Sequence, residues 1–150
     1  RKQHGLILDL SGEANRINIF QVFPTVTNEE GTEVDKKKSY NLHIEKLKNI
    51  FKLLNDEATG DDLTSLGQIL NEFYIEEGLW ARNPTLNPEK LKATELVAEE
   101  YPILSDFVMY VEDYQDKLQS KKHTNKIELS SVNRIYNTFN ELLTTNADMF

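Results

Sequence analysis

Ser39-Tyr40-Asn41-Leu42-His43-Ile44-Glu45-Lys46-Leu47-Lys48-Asn49-Ile50-Phe51-Lys52-Leu53-Leu54 is the stretch that decides the fold. Tyr40, Ile44, Leu47, Phe51 and Leu54 fall at i, i+4, i+7, i+11 and i+14, with Ile50 and Leu53 widening the stripe. That is the period of a helix with one covered face, and it predicts a helix from Ser39 to near Asn55. The same period continues downstream. A second helix is expected from Asp61 or Asp62, whose carboxylates favour the positive helix end, through Leu63, Leu66, Ile69, Leu70, Phe73 and Tyr74 to a terminator at Gly78. Pro88-Glu89 predicts a short helix through Leu91, Leu96 and Val97. Pro102-Ile103-Leu104-Ser105-Asp106 restarts another, with Ser105 as its cap and Phe107, Met109, Tyr110, Val111, Tyr114 and Leu118 on its apolar side. After the charged break Ser120–Lys126, the residues Val132, Ile135, Tyr136, Phe139, Leu142 and Leu143 keep helical spacing to the end.

Upstream the pattern differs. Leu6-Ile7-Leu8-Asp9-Leu10 is a short apolar run between Gly5 and Ser11-Gly12, and it reads as a strand covered on both faces. Ile17 to Phe23 reads as a second strand, stopped by Pro24. Pro24 to Lys38 is polar and without period, which predicts a mobile loop. The expected fold class is therefore mainly α: a bundle of four to five helices with one or two short N-terminal β-strands. Residues 1–38 form the strand-containing segment and loop, a piece of a larger sheet, because two strands alone are marginal. Residues 39–150 form the helical bundle.

At 150 residues the chain has material for one core. Its 17 Lys+Arg against 25 Asp+Glu give a net charge of −8, which argues against nucleic acid or an anionic membrane as the direct partner. Residues 1–38 are net zero, 39–116 net −10 and 117–150 net +2. The acidic middle is read first as solvated helix faces and second as a docking surface for a basic partner. No apolar run approaches the roughly 20 residues that span a bilayer. Zero cysteines exclude a disulfide framework, a thiolate metal site and a cysteine nucleophile. The opening Arg1-Lys2-Gln3-His4, without an initiator Met, sets the expectation of a piece of a larger protein.

Chemistry-bearing motifs are sparse. The chain lacks a phosphate-binding Gly-Lys-Ser/Thr loop, a His-Glu-x-x-His zinc motif and a Gly-x-Ser-x-Gly nucleophile turn. His4, His43 and His123 are its histidines, and His43 beside Glu45 is the one arrangement weighed as a metal site; a surface pair is the plainer reading. Asp56-Glu57, Asp61-Asp62, Glu76-Glu77, Glu99-Glu100 and Glu112-Asp113 are neighbours in sequence. On a helix such neighbours point about 100° apart and do not converge on one reacting atom. Trp80, near Arg82, suits the end of a core better than a stacking platform, and Tyr101, Phe107, Tyr110 and Tyr114 are read as core and boundary residues. No catalytic, cofactor-binding or metal residue is assigned, and no enzyme activity is expected of this chain.

The order of these elements resembles the motor domain of the conjugation and type IV secretion ATPases, the CagE/TrbE/VirB family. The resemblance rests on the Leu6–Leu10 strand, Arg16-Ile17-Asn18-Ile19-Phe20, the Leu63–Leu70 pattern running into Glu72-Phe73-Tyr74, Pro102-Ile103-Leu104-Ser105-Asp106-Phe107, and Ala147-Asp148-Met149-Phe150. Ile19 stands where the family has Pro, and Ile103 where it has Thr. The resemblance implies the helical part of the motor between its Walker A and Walker B motifs. ATP and magnesium would then belong to the parent protein, and no nucleotide-handling residue carries over. Implied partners are the rest of that ATPase, neighbouring subunits and secretion-channel proteins, with no nucleic acid contacted directly and no membrane insertion. The implied location is cytoplasmic, at the inner face of the cell membrane through the secretion complex. Arg16, between the two strand-like pieces, gains no special role from the resemblance. The competing expectation is a free-standing helical interaction module or regulator from a mobile genetic element, which would bury the Leu6–Leu10 strand against its own helices, where an excised lobe would leave it frayed or paired with another copy.

Overall fold

The structure is a computed structural model that describes residues 17–120 and 127–146. Helix α1 runs over Lys36–Leu54. It starts three residues before the expected Ser39 because Asp35 sits in extended backbone and its carboxylate accepts from the Lys38 amide at 3.0 Å. Tyr40, His43, Ile44, Leu47 and Phe51 are buried. Leu53, expected to widen the buried stripe, is 85% exposed, and Leu54 also faces out. The reason is packing: α1 meets only two of the other helices, so a narrow arc of it is covered.

Helix α2 spans Gly60–Glu76. It starts one residue before the expected Asp61, with Thr59 at the cap position: the Thr59 hydroxyl accepts from the Asp62 amide, while the Asp62 carboxylate accepts from the Thr59 amide, both at 3.1 Å. This reciprocal box satisfies two amides that the helix itself leaves free. Gly78 ends the helix as expected. Its φ of 79° is open to glycine at little cost, and it lets the Leu79 amide return to the Tyr74 carbonyl at 2.9 Å.

The helix expected from Pro88 to Val97 is not formed. Pro88–Lys90 and Ala98–Glu100 are single 3-10 turns. Between them Leu91 and Ala93 are both buried, two residues apart, a spacing that suits extended backbone. The Lys92 amide, between those two, donates to the Leu79 carbonyl at 3.0 Å. Helix α3 then covers Leu104–Ser120 and α4 covers Leu129–Thr145. At the start of α3, Asp106 rather than Ser105 serves the helix end, its carboxylate accepting from the Ile103 amide at 2.9 Å. Met109, expected on the apolar side, is 64% exposed.

The four helices form a bundle in which α2 and α4 each pack against all three others, while α1 and α3 do not meet. Phe73, Phe107, Phe139 and Phe51 run through its centre, with Phe73–Phe107 and Phe107–Phe139 ring centroids 5.2 and 5.3 Å apart in edge-to-face contact.

Residues 17–23 are not a strand. They form a strap wedged into the bundle, with a turn at Ile19-Phe20. Phe20 and Val22 are fully buried, and Phe20 lies 5.0 Å from Phe107 and 5.8 Å from Phe73, centroid to centroid. A buried carbonyl needs a donor, and side chains supply it here in place of a neighbouring strand. The Tyr74 hydroxyl donates to the Phe20 carbonyl at 2.7 Å, and the Tyr101 hydroxyl lies between the Val22 carbonyl, at 3.0 Å, and that of Ala93. The expected loop from Pro24 to Lys38 also has local order. Thr27 and Val34 form an antiparallel bridge, Gly31 turns the chain with φ 72°, and the Asp35 amide donates to the Val26 carbonyl at 2.7 Å. The strand expected at Leu6–Leu10 lies outside the described residues.

Phe20→Ala removes a buried ring that touches two others, and the expected loss is about 3–5 kcal/mol of unfolding free energy by urea denaturation. Phe23→Ala, three residues along the same strap but half exposed, is expected to cost under about 1 kcal/mol.

Candidate functional site

Two buried polar clusters stand out against the apolar interior. The first joins the N-terminal ends of α2 and α4. Asp62 is fully buried, and Arg134 grips it in fork geometry, Nε to Oδ2 at 2.8 Å and Nη2 to Oδ1 at 2.7 Å. The Ser131 hydroxyl adds a bond to Oδ1 at 2.7 Å. With the Thr59 amide, the carboxylate is fully surrounded by donors. The Arg134 hydrogen bonds hold the Asp62 carboxyl well below the usual carboxylate range, outweighing burial, with Ser131, the Thr59 amide and the Arg134 charge adding to the effect. A charge this well matched holds two helices in register; it is no acid or base near neutral pH.

The second cluster sits where α1, α2 and the strap meet. The Nε2 atom of His43 is 2.7 Å from the Tyr74 hydroxyl, which donates its own O–H to the Phe20 carbonyl. Burial, followed by the charge of Lys46, pushes the imidazole down to about 3, so it is neutral at physiological pH. Next to it Tyr40 donates to Asn71 Oδ1 at 2.8 Å and lies flat on Trp80, centroids 3.9 Å apart.

The residues weighed as functional do not converge. Glu45 faces out and pairs with Lys48 at 3.2 Å, while His43 faces in, so the two do not share a site. Among the described residues no group of three His, Cys, Asp or Glu side chains is placed to hold a metal ion. Trp80 is buried, as are Tyr101 and Phe107, and Tyr110 and Tyr114 are half-buried against the core. Of the carboxylate pairs, Asp61-Asp62 divides as helix geometry requires, one side chain out and one in. His4, Arg16 and His123 lie outside the described residues. Sequence reasoning missed the Asp62–Arg134 lock, although Thr59-x-x-Asp62 carries the spacing of a capping box. It also missed the role of Tyr74.

A shallow groove of about 410 Å³ runs between α1 and α2, lined by Tyr40, Ile44, Lys48, Thr64, Gly67 and Asn71 among others. Gly67 makes room for the Lys48 stem, since a Cβ there would come within 2.8 Å of Lys48 Cε. On the α2–α3 side, Glu77 and Asp106 lie close enough that burial and their mutual charge raise the Glu77 carboxyl. Burial, then Glu72 and Glu76, raise the Tyr110 hydroxyl. The structure thus gathers acidic side chains from two helices on one face.

The chain is 36% identical to the uncharacterized protein pXO2-09 of Bacillus anthracis over 118 residues, covering 74% of this chain and 18% of that protein. It spans less than a fifth of that relative's length. No family model matches the chain, and no solved structure does. Among the described residues no helix is long and apolar enough to cross a membrane.

Arg134→Ala leaves a buried carboxylate short of its main partner, with Ser131 and the Thr59 amide still bound. The expected loss at pH 7 is about 2–3 kcal/mol by chemical denaturation. Because the native Asp62 carboxyl titrates below its unfolded value, the cluster's contribution is present above about pH 4 and is lost as pH falls further. The difference between wild type and Arg134→Ala should therefore shrink in acid.

Proposed function

We propose that this chain is an interaction and coupling lobe of a larger, plasmid-encoded protein, and that the parent is a conjugative-transfer ATPase of the type IV secretion class. The proportion of the match supports this reading most: the similar segment occupies 18% of a plasmid-encoded relative. The motif order read from the sequence supports the choice of parent. The lobe itself supplies shape. Two central helices locked at their ends by Asp62 and Arg134 move as one body, and a rigid body beside a nucleotide-binding sheet passes its closure to a neighbour. Its partners are the remainder of the parent, adjoining subunits and channel proteins, on the cytoplasmic side.

A second reading has an observation of its own. The strap is buried against the chain's own helices, with Phe20 and Val22 sealed from solvent, which favours a self-contained interaction module or regulator.

Calorimetry of the purified chain with ATP and magnesium, beside ATP turnover by full-length pXO2-09, separates these readings. The lobe reading expects no heat at micromolar concentration from the chain and turnover by the full-length relative. Micromolar binding by the chain alone overturns the lobe, and a full-length relative without turnover overturns the ATPase parent.

A further inference from the structure

The Tyr74 hydroxyl carries one proton, and it is committed to the Phe20 carbonyl at 2.7 Å. His43 Nε2, 2.7 Å from the same oxygen, must therefore be the donor in that contact. The tautomer follows: Nε2 bears the hydrogen and Nδ1 is bare. Nδ1 is buried without a hydrogen-bond partner, in a side chain only 5% exposed. A cavity of about 120 Å³ adjoins the ring, walled by Phe23 of the strap, by Thr25 just after it, and by Ser39, Leu42 and Lys46 of α1.

We propose that His43 is a proton-sensitive latch: the neutral ring ties the strap to α1 and α2 through Tyr74, and a second proton on the ring releases the strap from α1. The groups that face the ring leave a cation without support. From α1 it is Lys46 and from α2 Tyr74, and the segment from Phe20 to Thr25 contributes no titratable side chain. Glu77 acts on the Tyr74 hydroxyl, behind the burial of that group and the nearby Tyr40 and Tyr101, and all these influences keep the phenol protonated. Among the described residues the charge acting on the ring is Lys46, of like sign, whose ammonium sits 5.7 Å from the centre of the Phe23 ring. Lifting Phe23 and Thr25 removes one wall of the cavity beside the ring and opens it to water.

The direction of the pH effect follows. The latched ring titrates near 3 and a solvated one near 6.5. Between those values the released form binds a proton that the latched form does not. Each unit of acidification then favours release by up to about tenfold.

Amide hydrogen exchange tests this on the intact chain, using the Val26 amide just after the strap, which donates to Ser39 Oγ of α1 at 3.0 Å, as the reporter of the strap's hold on α1. Helix α4 amides serve as the internal reference. The expected result is a Val26 protection factor that falls about tenfold per pH unit from 6.5 to 4.5, with α4 unchanged. His43→Gln keeps a donor for Tyr74 without a titrating ring, and its Val26 protection should stay flat across that range. Equal pH dependence in wild type and His43→Gln, or loss of strap and α4 protection together, overturns the latch. If His43→Gln does not fold, Tyr74→Phe provides the second reading: by removing the link it should lower Val26 protection at pH 7, and unchanged protection there overturns the proposal.

Discussion

How the strap is seated depends on how two buried carbonyls find donors. Phe20 and Val22 enter the bundle interior, where an unpaired backbone oxygen costs as much as a lost hydrogen bond. A sheet would have met that need with the amides of a neighbouring strand. The bundle instead uses two phenol hydroxyls, Tyr74 from α2 and Tyr101 from the segment before α3. Their consequences spread. Tyr74 then needs a donor on its own oxygen, which fixes the tautomer of His43; Tyr101, bonded to the Val22 and Ala93 carbonyls, ties the segment before α3 to the strap. A strap, a histidine tautomer and an interhelical connection thus follow from one requirement.

At the other end the constraint is electrostatic. Helix α2 starts with a capping box whose acidic member is also the partner of Arg134 on α4. An exposed aspartate at that position would contribute a few tenths of a kcal/mol through the helix dipole. Buried and forked, it joins two helix starts that lie 72 residues apart in sequence. Such a pair adds little net stability over a well-packed apolar pair, but its geometry admits few alternatives, so it fixes how α2 and α4 are set against each other. Because those two helices touch every other one, the whole bundle inherits that setting.

These two devices mark the boundary of what the sequence discloses. The helix faces were legible because burial repeats every three to four residues, and Ile69, Phe73, Val132, Ile135 and Phe139 all lie where the period puts them. Gly78 was legible because a positive φ favours glycine. The strap was not. Alternate burial of Phe20 and Val22 is the same in a strand and in an extended segment wedged among helices, and the phenols that distinguish the two cases stand 54 and 79 residues away. Leu53 misled for a related reason, since periodicity names a face but not the width of the arc that its neighbours cover. Asp62 was read as an end-of-helix charge, which is half its role; the other half rests on Arg134, and no local pattern announces it.

The two polar clusters also differ in what they permit. Asp62 is saturated by donors on a guanidinium, a hydroxyl and an amide, so nothing near neutral pH disturbs it. His43 is the opposite case, satisfied on one nitrogen and bare on the other. The lobe proposed above would use both kinds of element: a seam that does not yield, so that the central helices move together, and an attachment whose hold can change. The central pair α2 and α4 has the first and the strap has the second. That division places any adjustable contact on the α1 side of the molecule, where Phe23 and Leu42 are exposed beside the cavity and Lys46 sits over the Phe23 ring.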